Sequence, residues 1–277
     1  MDSQVAKPTS KFIDIKRVIA DKSPRLLKWI PGFVLRYFQK IFHEQEINDF
    51  IDRHHDKYDV DFCEAVLTHF KINLTFSDIE KVPATGGCVL VVNHPLGGMD
   101  AMALATILRQ RRTDIKFIVN DVLMNVENLK GMFVGVNKLG KNAKASLKKV
   151  DELFASEQLI CLFPAGLVSR KTNGVVQDLE WKKAFITRSR KYGRPIIPAH
   201  INGELSNFFY RLANFRKRIG IKANIEMLYL VDELFSQENK SMHVVFGNTI
   251  LPDTLTRPTT DQQWAQHIKE IVYNLPA

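Results

Sequence analysis

The chain has 277 residues, of which 45% are hydrophobic and 25% are charged, and its formal net charge is +9. This length fits one α/β domain with a helical appendage, and the hydrophobic share is ample for a buried core. No run approaches the roughly 18 consecutive apolar residues of a membrane-spanning helix, and no secretory signal opens the chain, so we expect a protein that faces the cytosol.

An amphipathic helix is predicted near the start of the chain. After a polar, aperiodic stretch, apolar residues within 31–43 recur at spacings of three and four, and polar residues occupy the opposite face. The apolar face is rich in aromatic residues and basic residues flank it, which is typical of a helix in a membrane interface. The alternative is a helix packed against its own domain. A second helix is predicted from about residue 46 to 69.

From residue 83 onward, short apolar runs alternate with helical patterns. Strands are predicted at 88–92, 116–120, 159–163, 196–201 and 243–250, and helices at 100–111, 142–156, 180–192 and 261–274. This alternation predicts an α/β fold with a largely parallel central sheet flanked by helices. We therefore divide the chain into an N-terminal tail and helical membrane-seating segment, 1–82, and an α/β domain, 83–277.

The candidate chemistry lies in the stretch NHPLGGMD, residues 93–100. Ligands of a parallel α/β sheet bind at the carboxyl ends of its strands, and His94 directly follows a predicted strand. Asp100 begins the next predicted helix, and two glycines between these residues permit a tight turn. The carboxylate could therefore orient the imidazole as a general base. The plainer alternative is that Asp100 caps the helix and His94 is an ordinary loop residue.

Four segments in order resemble sequence blocks of the glycerophosphate/lysophospholipid acyltransferase family. NHPLGGMD is similar to the first block, with its histidine and nearby aspartate. LKGMFVGVNKLGK (129–141), LICLFPAGLVSRK (159–171) and RPIIPAHINGELSNFFY (194–210) are similar to the second, third and fourth blocks. The resemblance covers roughly residues 85–215.

This sequence departs from the family pattern at two positions. Five residues separate His94 from Asp100, whereas most of the family has four, and Ala165 stands where the third block usually has Glu. Both features, with WKKAF and NGELSNFFY, are more similar to the hemolysin-like or aminolipid-forming branch. In the family the third block helps to hold the acceptor's head group, so with this Glu missing the resemblance leaves lyso-aminolipids, lysophosphatidate and other lysophospholipids open as acceptors.

The resemblance implies an O-acyltransferase that moves a fatty acyl group from a thioester of acyl carrier protein or coenzyme A to the hydroxyl of a lyso-lipid. The acceptor would be a lyso-aminolipid or a lysophospholipid. His94 would be the general base and Asp100 would orient it, without a metal or a cofactor besides the thioester co-substrate. The substrate-binding positions that the resemblance implies are Asn93, Gly97, Gly98, Lys138, Phe163, Pro164, Gly166, Ser169 and Arg170, with Lys171 as a further basic candidate.

Positive charge is concentrated in two segments. Residues 1–43 contain nine Lys or Arg and three Asp, and residues 181–222 contain eleven Lys or Arg and one Glu. With the aromatic helix, this charge predicts a peripheral or monotopic protein on anionic lipids at the cytoplasmic face of a membrane. The basic aromatic run 208–218 could instead bind RNA, but we expect a helix packed on the sheet or resting on lipid, and no nucleic acid partner.

Two other functions are compatible with the same features. A lipid or thioester hydrolase on this fold would use water as the acceptor. A non-catalytic lipid-binding protein would keep its function without His94. Neither alternative needs a histidine and an aspartate paired at the end of a strand.

Overall fold

A computed structural model describes residues 11–136 and 143–276. These residues form two compact units. The first contains the described residues up to Lys57 together with Ser206–Ser236, and the second contains Tyr58–Leu205 and the residues from Gln237 onward. The predicted division between 82 and 83 differs from this one, because strand Asn73–Ser77 pairs with strand Ser241–Phe246 and so belongs to the second unit.

The second unit is built on a central sheet. Its strands, with a separate hairpin of β6 and β7, are β1 (Asn73–Ser77), β2 (Cys88–Val92), β3 (Ile115–Asn120), β4 (Phe133–Val136), β5 (Leu159–Leu162), β6 (Arg170–Thr172), β7 (Val175–Gln177), β8 (Ile196–Ile201) and β9 (Ser241–Phe246). In the described ranges the sheet has seven strands in the order β1-β9-β8-β2-β5-β3-β4. Neighbouring strands are parallel except β8 and β9, which are antiparallel.

Helices belong to both units. They are α1 (Ile15–Lys22), α2 (Pro24–Trp29), α3 (Gly32–Ile41), α4 (Glu44–Arg53), α5 (Asp59–His69), α6 (Gly98–Leu108), α7 (Ala143–Ala155), α8 (Ala184–Tyr192), α9 (Asn207–Arg218), α10 (Leu230–Phe235) and α11 (Asp261–Tyr273). The first unit holds α1 to α4, α9 and α10, and the second unit holds the others. In the part of the chain that the structure describes, each helix is too short or too polar to cross a bilayer.

The core of the second unit lies around β2, whose five residues are all buried. Val89 and Val91 pack in one cluster with Phe154 of α7, Phe185 of α8 and Ile268 of α11. The alternate residues of a strand point to the opposite face, and they are buried as well, so both faces of the sheet are covered at its centre. The predicted α/β class, with a largely parallel sheet flanked by helices and an N-terminal helical appendage, is confirmed.

Two predicted helices differ most from the structure, and the strand predicted at 243–250 ends at Phe246. The helix predicted from about 46 to 69 is broken into α4 and α5 by a turn in which Lys57 donates its N–H to His54 O. Histidine and aspartate fill this turn, and both are weak helix formers. The helix predicted at 180–192 begins only at Ala184. The hairpin of β6 and β7 precedes it, and Asn173 and Gly174 both have the positive φ of a tight hairpin turn (52° and 82°).

Candidate active site

Asn93 fixes the point where β2 ends. Its Nδ2 donates to Ile201 O (2.8 Å) and its Oδ1 accepts the N–H of Ile201 (2.7 Å). One buried side chain therefore joins the carboxyl end of β2 to the carboxyl end of β8, in place of backbone pairing. Asn93, predicted to bind substrate, has these two structural contacts, and they set the position from which His94 leaves the sheet.

A tight turn carries the chain from His94 into α6. Gly97 has φ 71° and ψ −128°, a conformation that favours glycine, and α6 begins at the exposed Gly98. Leu96 lies in this turn and packs against Gly203. A Cβ on Gly203 would lie only 2.8 Å from Leu96 Cδ1. Position 203 therefore accepts only glycine without a clash against this turn.

The turn brings His94 and Asp100 together. His94 Nδ1 lies 2.9 Å from Asp100 Oδ2, and the same oxygen accepts the N–H of Leu96 (2.9 Å). The Asp100 side chain is completely buried, and burial raises its pKa although both hydrogen bonds act in the opposite direction. An Nδ1–H donated to this carboxylate places the lone pair of the neutral imidazole on Nε2. The imidazole itself is partly exposed, so Nε2 can receive a proton.

An aromatic ring from the neighbouring strand covers the imidazole. Phe163 directly follows β5, and its ring stacks on His94 with centroids 4.1 Å apart and planes 21° apart. Because β2 and β5 are parallel, their carboxyl ends meet at one edge, which is where ligands of such sheets bind. Phe163 therefore restricts the plane of the imidazole and gives the site an apolar wall.

Asp178 holds the backbone of His94, and no sequence signal pointed to it. Its buried carboxylate accepts through Oδ1 from the His94 N–H (3.1 Å) and from Ser169 Oγ (2.6 Å). Ser169 in turn donates its N–H to His94 O (2.8 Å). Through Oδ2, Asp178 accepts from Trp181 Nε1 (2.8 Å). Both backbone polar groups of His94 are therefore tied to the segment that follows β5.

Helix α11 anchors Asp178 from the other side. The Asp178 N–H donates to Tyr273 Oη (2.7 Å), and Lys269 Nζ donates to Asp178 O (2.6 Å). Burial raises the pKa of Tyr273 and lowers the pKa of Lys269. The ring of His200 lies 5.5 Å from the ring of Tyr273, and burial lowers the pKa of His200. His200 is thus a packing histidine at the lip of the site.

The other predicted substrate-binding residues have varied surroundings. Pro164 is buried, and the N–H of Gly166 closes a turn onto Phe163 O (3.0 Å). Arg170 is buried, and its Nη1 donates to Val168 O (2.5 Å) and Ser169 O (3.3 Å).

The remaining predicted substrate-binding residues are two lysines, Lys138 and Lys171. Lys171 Nζ lies 3.1 Å from a carboxylate oxygen of Glu204. Lys138 lies outside the described residues. The structure therefore brings His94, Asp100, Phe163 and Ser169 into one cluster, and the catalytic and substrate-binding roles predicted for all of these site residues stay predictions.

The arrangement can perform base chemistry. A partly exposed imidazole, a buried carboxylate on its inner nitrogen and a fixed backbone are the parts of a general base that must keep one orientation. Proton transfer to Nε2 creates an imidazolium, which the Asp100 carboxylate stabilises at 2.9 Å. This cluster can therefore activate a hydroxyl or a water molecule next to His94.

Comparison with known proteins gives concordant results. A family model described as Acyltransferase matches residues 17–275. A protein of Bacteroides thetaiotaomicron named lyso-glycine lipid O-acyltransferase is 44% identical over 265 residues, which cover 95% of this chain and 97% of that protein. A protein of Phocaeicola vulgatus with the same name is 39% identical over 279 residues, which cover 99% of this chain and 100% of that protein.

A solved structure also aligns with this chain. It is the 1-acyl-sn-glycerophosphate acyltransferase of Thermotoga maritima, with a TM-score of 0.48 and 16% identity over 93% of this chain and 90% of that chain. The family model and the two relatives each span nearly the whole sequence. The chain is therefore an enzyme that belongs to the acyltransferase family.

Proposed function

We propose that this enzyme transfers a fatty acyl group from a thioester to the hydroxyl of a lyso-lipid, with His94 as general base and Asp100 as the residue that orients it. The contact of 2.9 Å between His94 Nδ1 and the completely buried Asp100 carboxylate carries this proposal. It supports base chemistry at a strand end, and membership of the acyltransferase family supports acyl transfer as the reaction.

The proposed acceptor is a lyso-aminolipid, and a lyso-glycine lipid is the first candidate. Both relatives carry that acceptor in their names and align with this chain over nearly its full length. A glycine head group joined through its nitrogen presents a carboxylate rather than a phosphate. Ala165, in place of the Glu expected by resemblance, is consistent with such a change of head group.

The proposed reaction is a direct displacement. The acceptor hydroxyl gives its proton to His94 Nε2 while its oxygen forms a bond to the thioester carbonyl carbon. The carbon–sulfur bond then breaks, and the leaving thiolate takes the proton from His94, which leaves an ester and a free thiol. Gly166 already donates its N–H to Phe163 O. We therefore favour the N–H groups around Gly97 and Gly98 as donors to the tetrahedral oxyanion.

We also propose that α2 and α3 rest on the anionic surface of the cytoplasmic membrane leaflet, which makes the protein peripheral or monotopic. Trp29 is 85% exposed and Phe33 is 67% exposed, and residues 24–41 contain no Asp or Glu. Deletion of residues 24–43 should release the protein from vesicles that contain phosphatidylglycerol, as measured by co-sedimentation. Unchanged binding of the deleted protein would contradict this location.

The activity is tested with purified protein, an acyl thioester and lyso-glycine lipid in detergent micelles. Acyl carrier protein and coenzyme A thioesters are supplied separately, and the products are identified by mass spectrometry. We expect an O-acylated lipid that forms only when the lyso-lipid is present. Thioester loss at the same rate without a lyso-lipid would instead show a hydrolase, and a product only from lysophosphatidate would replace the proposed acceptor.

A further inference from the structure

The segment 207–224 contains α9 and the loop that follows it, and it belongs to the same unit as the N-terminal helices. It has five Lys or Arg and no Asp or Glu. Several of its large apolar side chains are exposed, namely those of Phe208, Phe215, Ile219 and Ile221. Segment 207–224 therefore combines positive charge with exposed apolar surface, as residues 24–41 do.

Tyr229 joins this segment to α3. Its hydroxyl lies 2.7 Å from the hydroxyl of Tyr37, and its ring packs edge-on against Phe208 with centroids 4.9 Å apart. Tyr37 is exposed and lies one helical turn after Phe33 on α3. Through Tyr229, exposed aromatic residues of α3 and α9 thus form one surface, although Tyr37 and Asn207 are 170 positions apart in the sequence.

The loop after α9 is held in place while its apolar side chains stay exposed. Arg216 contacts the buried carboxylate of Glu226 through Nε (2.5 Å) and Nη2 (3.0 Å), and its Nη1 donates to Ile221 O (3.2 Å). Ile219 is 53% exposed and Ile221 is 39% exposed, on either side of Gly220 with φ 77°. Isoleucines at an ordered loop tip contribute little to the core, and clustered exposed apolar residues often mark an interaction site.

We infer that segment 207–224 is a second lipid contact, which inserts Phe215, Ile219 and Ile221 into the interface of an anionic bilayer and acts together with α3. This inference rests on the membrane location proposed above. Lys217, Arg218 and Lys222 lie beside these apolar side chains in the sequence and are exposed, so they can pair with anionic head groups. Insertion of the apolar side chains removes them from water.

The apolar part of the inference is tested with a matched pair of variants. Ile219→Ser with Ile221→Ser is compared with Leu147→Ser and Leu251→Ser, which change two leucines of the second unit that are 49% and 56% exposed. Binding to vesicles of phosphatidylcholine and phosphatidylglycerol is measured by co-sedimentation. We expect the tip variant to lose about tenfold in apparent affinity and the control to stay within about twofold of the wild type. Equal binding by both variants would overturn the inference.

The charged part is tested with a second matched pair. Lys217→Gln, Arg218→Gln and Lys222→Gln together remove three charges from the tip, and Lys144→Gln, Lys148→Gln and Lys149→Gln remove three from α7. We expect the first set alone to lose binding, only on vesicles that contain phosphatidylglycerol, with the loss shrinking as salt rises. Equal losses for both sets would show a nonspecific charge effect and overturn the inference.

Two further measurements separate this inference from the proposed function. The tip variants should keep wild-type acyl transfer in detergent micelles, where a bilayer contact is not needed. If the wild type binds vesicles through this tip but has no transfer activity, the proposed function fails and this inference stands. If the tip variants lose binding to purified acyl carrier protein and keep vesicle binding, the tip contacts the acyl donor and the inference is overturned.

Discussion

The candidate active site of the second unit and the exposed aromatic surface of the first unit use polar and apolar residues in opposite ways. In the second unit, polar side chains at the carboxyl edge of the sheet are buried and bonded to one another, as Asp178 is to His94, Ser169 and Trp181. In the first unit, large apolar side chains such as Trp29 and Phe33 are exposed. Buried polar networks fix geometry, and exposed apolar surfaces make contacts with partners. The proposed chemistry and the proposed contact with lipid therefore lie in different units, and each proposal can be tested without the other.

The largest effect is expected at His94. His94→Ala removes the base, and general base catalysis is typically worth about 10²–10⁴-fold, so kcat should fall by that factor. Binding to anionic vesicles should not change, because the substitution lies in the second unit. The measurements are steady-state transfer in micelles and vesicle co-sedimentation. His267→Ala on the exposed side of α11 is the control, and wild-type kcat in His94→Ala would refute the assignment of the base.

A smaller effect is expected at Asp178. In Asp178→Asn, an amide nitrogen, which cannot accept a hydrogen bond, replaces one carboxylate oxygen, so either Trp181 or the pair of His94 and Ser169 loses its acceptor. An unsatisfied buried donor costs about 1–3 kcal/mol of stability. Because His94 would lose its backbone position, kcat should fall by about 10–100-fold at nearly constant KM.

Trp181→Phe provides the control for Asp178. It removes a single hydrogen bond and leaves Asp178 bonded to His94 and Ser169. We expect it to lower the free energy of unfolding and to keep kcat. If both variants lose activity only in proportion to the fraction unfolded, Asp178 has a structural role and does not position the base.

Local sequence was sufficient to predict the pair of His94 and Asp100 and the strands at the centre of the sheet. The pair lies within one turn, and β2, β5 and β8 are buried apolar runs that periodicity detects. The fold class followed from the alternation of these runs with helices. Gly97 and Gly98 predicted the tight turn that lies between His94 and Asp100.

Contacts between distant segments could not be predicted in this way. Asp178 reaches His94 only because the chain turns at Asn173 and Gly174 and because β5 lies beside β2. The Asn-Gly pair was the available signal for that hairpin, and it was missed because the flanking strands have three residues each. The first unit is likewise assembled from two distant segments of the chain, and Tyr229, which contacts Tyr37 across them, is not distinctive by its spacing.

A smaller effect is expected from Gly203→Ala. Gly203 has φ 151°, and its new Cβ would lie 2.8 Å from Leu96 Cδ1, so the buried Leu96 side chain in the turn between His94 and Asp100 must be displaced. The control is Gly193→Ala at φ 64°, where a Cβ has no heavy atom within 4 Å. Both substitutions should cost about 1–2 kcal/mol in backbone strain. Only Gly203→Ala should lower kcat several-fold, and equal kcat in both variants would show that the turn tolerates the displacement.

The smallest effect is expected on the rate at which a thiol reagent labels the cysteines. All three cysteines are buried and lie in the second unit. Burial raises the pKa of Cys63 to about 12 and that of Cys88 to about 11, and the thiolate is the reactive form. At pH 8 the folded protein should therefore react slowly with a thiol reagent, and the protein unfolded in guanidinium should react fast. Below these pKa values, each rise of one pH unit increases the thiolate fraction about tenfold, so labelling accelerates with pH. Anionic vesicles should leave the rate unchanged if lipid contacts are confined to the first unit. A faster rate with vesicles would show that lipid binding opens the second unit, and the proposed separation between attachment and chemistry would then fail.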